Sequence, residues 1–113
     1  MNLKNSIQLI GKLGKAPEVK SLENGKKLAK VTIATNDSYK NARGEKVIDT
    51  QWHNLIGWGK TAELMERFFK KGTEVCVQGK LTHRNYEDSN GVTKYFSEII
   101  ISEFLLMNNA KEA

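Results

Sequence analysis

The sequence predicts a mainly β protein with a single α-helix, and three observations lead to that prediction. Most segments alternate apolar and polar side chains at the period of a half-buried strand. Only residues 61–71 place apolar side chains at helical spacing. Turn signals separate the alternating segments at Gly14, Gly25, Gly44, Gly72 and Gly91. With 113 residues, the chain is of a length that fits one such domain.

The N-terminal part of the sequence predicts two strands with a short extended segment between them. Strand one covers about Ser6 to Leu13, and the extended piece covers Glu18 to Leu22. The Asn24-Gly25 pair is a turn signal of the hairpin type. Strand two follows it, because apolar and polar residues alternate from Ala29 to Asn36. A polar loop from Asp37 to Lys46 is expected next.

Strand three spans about Val47 to Trp58. Its alternation places Trp52 and Trp58 on one face, together with Asn54 and Ile56. The helix is expected from Thr61 to Lys71, with Thr61 as its N-cap and Gly72 as its stop. Its apolar stripe contains Ala62, Leu64, Met65, Phe68 and Phe69.

Two more strands follow the helix, from Glu74 to Thr82 and from Thr93 to Leu106, and an extended hairpin around residues 88–91 joins them. Five strands with one helix between the third and the fourth are the element order of the OB-fold, a small Greek-key barrel. We therefore predict a five-stranded OB-fold domain over residues 1–107. Residues 108–113 are expected to form a short disordered C-terminus.

Composition narrows the possible classes of function. Lys and Arg total 18 against 13 acidic residues, a net charge of +5 that favours a polyanionic partner. The single cysteine, Cys76, lies between two valines, which indicates packing and suits a reducing compartment. The N-terminus has neither a signal-peptide core nor a membrane-spanning segment, so a cytoplasmic protein without a membrane partner is expected.

Cationic and aromatic side chains are interleaved along the predicted strands. In strand four, Lys80, Arg84 and Tyr86 share the side opposite the apolar residues if the strand stays regular. A binder of single-stranded nucleic acid needs such cations for phosphates and flat rings on which bases stack, and stacking discriminates little between bases. Trp52 and Trp58 fit either a core or a binding face. The candidate DNA-binding residues are Tyr39, Trp52, Trp58, Tyr86, Lys20, Lys60, Lys71, Lys80 and Arg84.

Several short motifs match those of a known family in the same order. They are Ile10-Gly11-Lys12-Leu13-Gly14, Pro17-Glu18-Val19, Asn24-Gly25, Ala34-Thr35, Thr50-Gln51-Trp52-His53, Gly59-Lys60, Lys71-Gly72 and Gln78-Gly79-Lys80-Leu81. In these motifs the chain resembles the bacterial single-stranded DNA-binding proteins of the SSB family, from Asn5 to Met107. The resemblance implies a homotetramer that protects single-stranded DNA during replication, recombination and repair, close to the nucleoid.

The resemblance also assigns base stacking to Tyr39, Trp52, Trp58 and Tyr86, although the ring types differ from those common in the family. Asn54 and Thr82 stand where relatives commonly carry basic residues, so fewer phosphate contacts are expected from this chain. The family usually continues into an acidic tail that recruits other proteins. This sequence stops at Ala113, which implies a tailless or truncated member without recruitment by such a tail.

Other classes of protein fit the sequence less well. Gly59-Lys60-Thr61 lacks the preceding glycines of a P-loop, and no nucleophile motif accompanies His53, so no enzyme is expected. His53, His83 and Cys76 lack the close pairing of a structural zinc site, and neither a metal nor another cofactor is expected. Two alternatives stay open: an OB-fold adaptor similar to primosomal replication proteins, and an RNA-binding protein.

Overall fold

The computed structural model describes residues 3–107, and the expected disordered C-terminus at 108–113 lies outside the described residues. Six strands and one helix form the described part of the chain. None of its helices is long and apolar enough to cross a membrane. The elements are β1 (Ile7–Leu13), β2 (Glu18–Ser21), β3 (Lys27–Lys40), β4 (Lys46–Trp58), α1 (Lys60–Phe68), β5 (Glu74–Glu87) and β6 (Thr93–Leu106).

Five of the strands close into a barrel in the order β1, β5, β6, β4, β3 and back to β1. The pairings are antiparallel except between β4 and β6, where Leu55 lies beside Ile99 in a short parallel contact. β1 closes the barrel by pairing Lys12 with Ala34 of β3. The short β2 lies outside the ring on β3. The predicted five-stranded barrel, with its helix between the third and fourth barrel strands, is confirmed.

The barrel closes where β1 leaves β5 and joins β3. Gly11 occupies this crossing, and a Cβ atom there would collide with the backbone carbonyl of Ala34. Closure at this point therefore requires a residue without a side chain.

The core lies inside the barrel and is covered at one end by α1. Met65 and Phe69 are fully or almost fully buried, and Phe69 meets Phe104 of β6 edge to face at 4.6 Å. Such aromatic contacts add to the free energy of burial. The core side chains are Leu13, Ala29, Val31, Ile33, Leu55, Ala62, Met65, Phe69, Val75, Val77, Ile99 and Ile101.

The helix differs from its predicted form at both ends. Its N-cap is Gly59, and no side chain caps it, so the prediction of Thr61 as the cap is wrong. It ends at Phe68 instead of Lys71, because Phe69 adopts an extended backbone that directs its ring into the core. Gly72 has a positive φ, but it belongs to the turn after the helix.

The hairpins are longer than the sequence predicted. Asp37–Lys40 and Lys46 continue the strands, which leaves residues 41–45 of the predicted loop as the turn. The side chain of Asn41 closes that turn, since its Oδ1 accepts the backbone N–H groups of Arg43 and Glu45. β5 likewise runs to Glu87. Residues 35–51 and 82–98 thus form two ribbons, which we call the β3–β4 arm and the β5–β6 arm.

Candidate nucleic-acid interface

Both tryptophans lie on the outer face of β4. The cross-strand register puts Val31 and Leu55 in the barrel interior, while Trp52 lies on the other side of the sheet, across from Ala34. Trp52 is 60% exposed and Trp58 is 40% exposed. Of the two alternatives that the sequence left open, a place in the core is therefore wrong for these rings, and their role in binding stays a prediction.

The Trp52 ring rests on the loop after β1. A Cβ atom at Gly14 would lie 2.7 Å from Cζ3 of Trp52, so the absence of a side chain there permits the ring to lie against the backbone. One side of the indole is thus held by the protein while much of it remains open to solvent. A ring held in this way loses little conformational freedom when a base stacks on it.

A groove of roughly 400 Å³ continues along the same outer face. Its floor is formed by β3 and β4, and its walls are formed by the loop after β1, by β2 and by the β5–β6 arm. This is the part of an OB-fold that binds oligonucleotides, namely the central strands flanked by two loops. The lining residues include two lysines, two glutamates and two aromatic rings: Lys15, Glu18, Lys30, Val31, Thr32, Asn54, Leu55, Ile56, Tyr86, Phe96 and Glu98. Lys15 forms an ion pair with Glu18 at 3.3 Å, but both side chains are exposed, so a phosphate is able to compete for this lysine.

Phe96 is a groove residue that the sequence analysis missed. Its ring meets that of Tyr86 edge to face at 5.9 Å, which makes a paired aromatic wall. The guanidinium of Arg84 lies 4.8 Å from the centre of the Phe96 ring. The alternation of β6 places Phe96 on one side of its strand. To recognise that this side faces the groove, one also needs the register that pairs Phe96 with Arg84 of β5.

Arg84 does not lie free in the groove. Its Nε donates to Oε1 of Glu98 at 2.7 Å, and the Glu98 side chain is 5% exposed. The sequence predicted Arg84 as a phosphate contact, and the structure places its charge against a buried carboxylate.

Tyr39 is separated from the other candidate rings. It lies across from Val47 near the end of the β3–β4 arm. In the alternation of β3 it falls on the same side of the strand as the core residues Val31 and Ile33. Its side chain is exposed, but it belongs to the face opposite that of Trp52. Its predicted role in stacking stays a prediction.

The candidate lysines are exposed and lie on several sides of the barrel. Lys20 lies across β3 from Trp58, in one cross-strand row with Leu28. Lys80 is on the outer side of β5, across from Ile100. Lys71 is in the turn after the helix.

Lys60 begins the helix among side chains of both charges. It shares a shallow depression with two carboxylates and two other cations: Glu63, Glu66, Lys27 and Arg67. A hydrogen bond from Lys27 to Glu66 at 3.0 Å, with the charge of that carboxylate, raises the pKa of Lys27. Lys27 is thus already paired, and Lys60 has two acidic neighbours.

Potential catalytic or metal-binding groups are scattered. His53 shares a hydrogen bond with Oγ1 of Thr35 at 3.0 Å, and His83 shares one with Oγ of Ser97 at 2.8 Å. Within residues 3–107, no group of three or more His, Cys, Asp or Glu residues is placed to hold a metal ion.

Known proteins resemble this chain over almost its entire length. A model described as the single-strand binding protein family matches residues 4–107. The chain belongs to that family. A solved structure described as "Plasmodium falciparum SSB complex with ssDNA" is 32% identical and has a TM-score of 0.86, covering 96% of this chain and 100% of that one. The family predicted from the sequence motifs and the predicted OB-fold are both confirmed.

Asn54 and Thr82, which the resemblance places where relatives commonly carry basic residues, both form hydrogen bonds to the backbone of β6. Nδ2 of Asn54 donates to the backbone oxygen of Ser97 at 3.2 Å, and Oγ1 of Thr82 donates to that of Glu98 at 3.2 Å. Both side chains therefore connect strands around the groove.

Proposed function

We propose that this member of the single-strand binding protein family binds single-stranded DNA with little sequence preference. The observation that carries the proposal is one continuous outer face. There the exposed Trp52 ring and the Tyr86–Phe96 wall flank a groove that contains Lys15 and Lys30. Rings stack on any base and lysines attract phosphates, so this combination suits an unpaired strand. The DNA complex of the similar Plasmodium falciparum protein supports the proposal.

The phosphate contacts are proposed for exposed lysines around this face. Lys20 lies in the same cross-strand row as Trp58, and Lys15 and Lys30 line the groove. Lys60, Lys71 and Lys80 lie further along the surface and would meet the strand if it continues around the barrel.

Binding should be visible as quenching of tryptophan fluorescence, and it should weaken as salt rises. Stacked bases quench an exposed indole, and each phosphate neutralised by a lysine adds about 0.7 to the negative slope of log K against log salt for a single strand. An oligo-dT titration at several salt concentrations measures both effects. A matched oligo-rU titration tests the RNA alternative. Absence of saturable quenching by oligo-dT at low salt would contradict the proposed function, and tighter binding of oligo-rU than of oligo-dT would favour the RNA alternative.

A further proposal is that the chain assembles as a homotetramer. The outer surface of the barrel carries a cross-strand row of Ile10, Cys76 and Leu105, in which both aliphatic side chains are exposed. Exposed apolar surface of this kind often marks contacts between proteins.

Light scattering should therefore report about four times the chain mass of 12.8 kDa. Leu105→Glu should reduce that mass, because a carboxylate in an apolar interface is costly to desolvate. Val92→Glu introduces the same charge at an exposed apolar position in the turn of the β5–β6 arm, so it serves as the control and should leave the mass unchanged. A wild-type protein that stays monomeric at micromolar concentration would rule out the tetramer.

We also propose that the protein acts in replication, recombination and repair in a bacterial cytoplasm, close to the nucleoid. The free thiol of Cys76 suits a reducing compartment, and unpaired DNA is the substrate that all three processes share. Fluorescence microscopy of a tagged protein would test this, since foci should appear when replication forks are stalled.

A further inference from the structure

The β5–β6 arm carries an ion pair with one buried member. Nε of Arg84 lies 2.7 Å from Oε1 of Glu98, and Nη2 lies 3.4 Å from Oε2. The Glu98 side chain is 5% exposed, whereas that of Arg84 is 52% exposed. Both carboxylate oxygens thus face the guanidinium, and two-point contacts of this kind are the strong form of an arginine ion pair.

The ion pair is joined to the aromatic wall of the groove. Arg84 and Phe96 are cross-strand partners, and the guanidinium lies over the Phe96 ring at 4.8 Å. Tyr86 meets that same ring at 5.9 Å. The position of Arg84 therefore supports the rings on which a base would stack.

Loss of the ion pair would be more unfavourable for Glu98 than for Arg84, because the carboxylate is buried and the guanidinium is half exposed. A carboxylate withdrawn from water is unfavourable unless it is paired, and Arg84 is the ion-pair partner that the described residues supply. A phosphate that approached Arg84 would also approach the charge of Glu98. Because the pair has no net charge, it releases no counterion when a strand binds.

We propose that Glu98 withholds Arg84 from the DNA backbone. The pair positions the Tyr86–Phe96 wall for stacking and adds no net cation to phosphate binding, so Arg84 is a positioning residue and not a phosphate ligand. The inference rests on the proposed function, and it reverses the role that the sequence predicted for Arg84. Removing only the negative member should create a new phosphate-binding cation beside Lys15 and Lys30.

Glu98→Gln tests this in the intact protein, because the amide has nearly the same shape and still offers an oxygen to Arg84. Binding of oligo-dT should become tighter at low salt, and the slope of log K against log salt should steepen by about 0.7. Glu103→Gln is the matched control, since it removes the same charge from an exposed position on β6. Its slope should equal that of the wild type.

The double variant Arg84→Gln with Glu98→Gln separates the two roles of Arg84. It removes both charges, so its slope should match the wild type if the pair contributes no net cation. If Arg84 contacts a phosphate in the wild type, the slope should instead become shallower by about 0.7. That result, or a wild-type slope in Glu98→Gln, would overturn the inference. Wild-type protein that fails to bind oligo-dT would instead refute the proposed function. Thermal melts of all variants confirm that folded proteins are compared.

Discussion

Phe69→Ala should lower the free energy of unfolding by about 3 to 5 kcal/mol, the usual cost of truncating a buried phenylalanine. The side chain is 2% exposed, and it joins the helix to β6 through its contact with Phe104. Truncation removes that contact and leaves a cavity under the end of the barrel. Chemical denaturation followed by tryptophan fluorescence measures the loss.

The neighbouring Phe68, which the sequence analysis placed in the same apolar stripe of the helix, provides the control. It is 41% exposed, so Phe68→Ala should lower the free energy of unfolding by clearly less than Phe69→Ala, because less apolar surface is buried and no enclosed cavity remains. Oligo-dT binding by both variants should be retained in the folded fraction. A larger loss of stability for Phe68→Ala than for Phe69→Ala would mean that the helix is rotated from its described position.

Combining Trp52→Ala with Tyr86→Ala should produce the largest loss of DNA binding. Each stacked ring contributes about 1 to 3 kcal/mol by alanine substitution. The two rings lie on different strands, Trp52 on β4 and Tyr86 on β5, and the structure, which describes both residues, shows no contact between them, so their losses should be close to additive. Both side chains are largely exposed, and the folded barrel should persist. Trp58 remains in the double variant as the fluorescent probe for the titration.

Tyr95→Ala is the matched control for this loss. Tyr95 is also an exposed tyrosine of the β5–β6 arm, but it pairs with Asn85 and so lies on the face opposite Tyr86. Its removal should leave oligo-dT binding unchanged. If the double variant binds as the wild type does while its melting temperature is unaltered, stacking on these two rings is not the binding mechanism.

The alternation of apolar and polar residues correctly predicted which side of β3 and β5 faces the barrel interior, because the core residues of these strands recur at every second position. Val75 and Val77 are buried as expected, and so are Val31 and Ile33. The same rule could not decide the exposure of Trp52, since Ile56 on its own face is only 4% exposed. Whether an outer residue is covered depends on which strand lies beside it, and that is a property of the closed barrel.

The remaining differences come from contacts between distant parts of the chain. Helical spacing alone did not choose between Phe68 and Phe69, and packing against Phe104 favours the second. Polar composition in 37–46 indicated a loop, yet the backbone pairs as strands up to Lys40 and Lys46. The Arg84–Glu98 pair depends on the register of β5 with β6, which no local motif encodes.

The partnership of β1 with β5 has a consequence for the newly synthesised chain. Ile7 pairs with Gly79, so the first strand leaves the ribosome long before its neighbour exists. At roughly 5 to 20 residues per second, that interval lasts several seconds. The β3–β4 hairpin, by contrast, joins residues close in sequence and is able to form as it emerges. During this interval residues 7–10 of β1 lack their barrel partner, and an unpaired strand edge of this kind is able to pair with other chains.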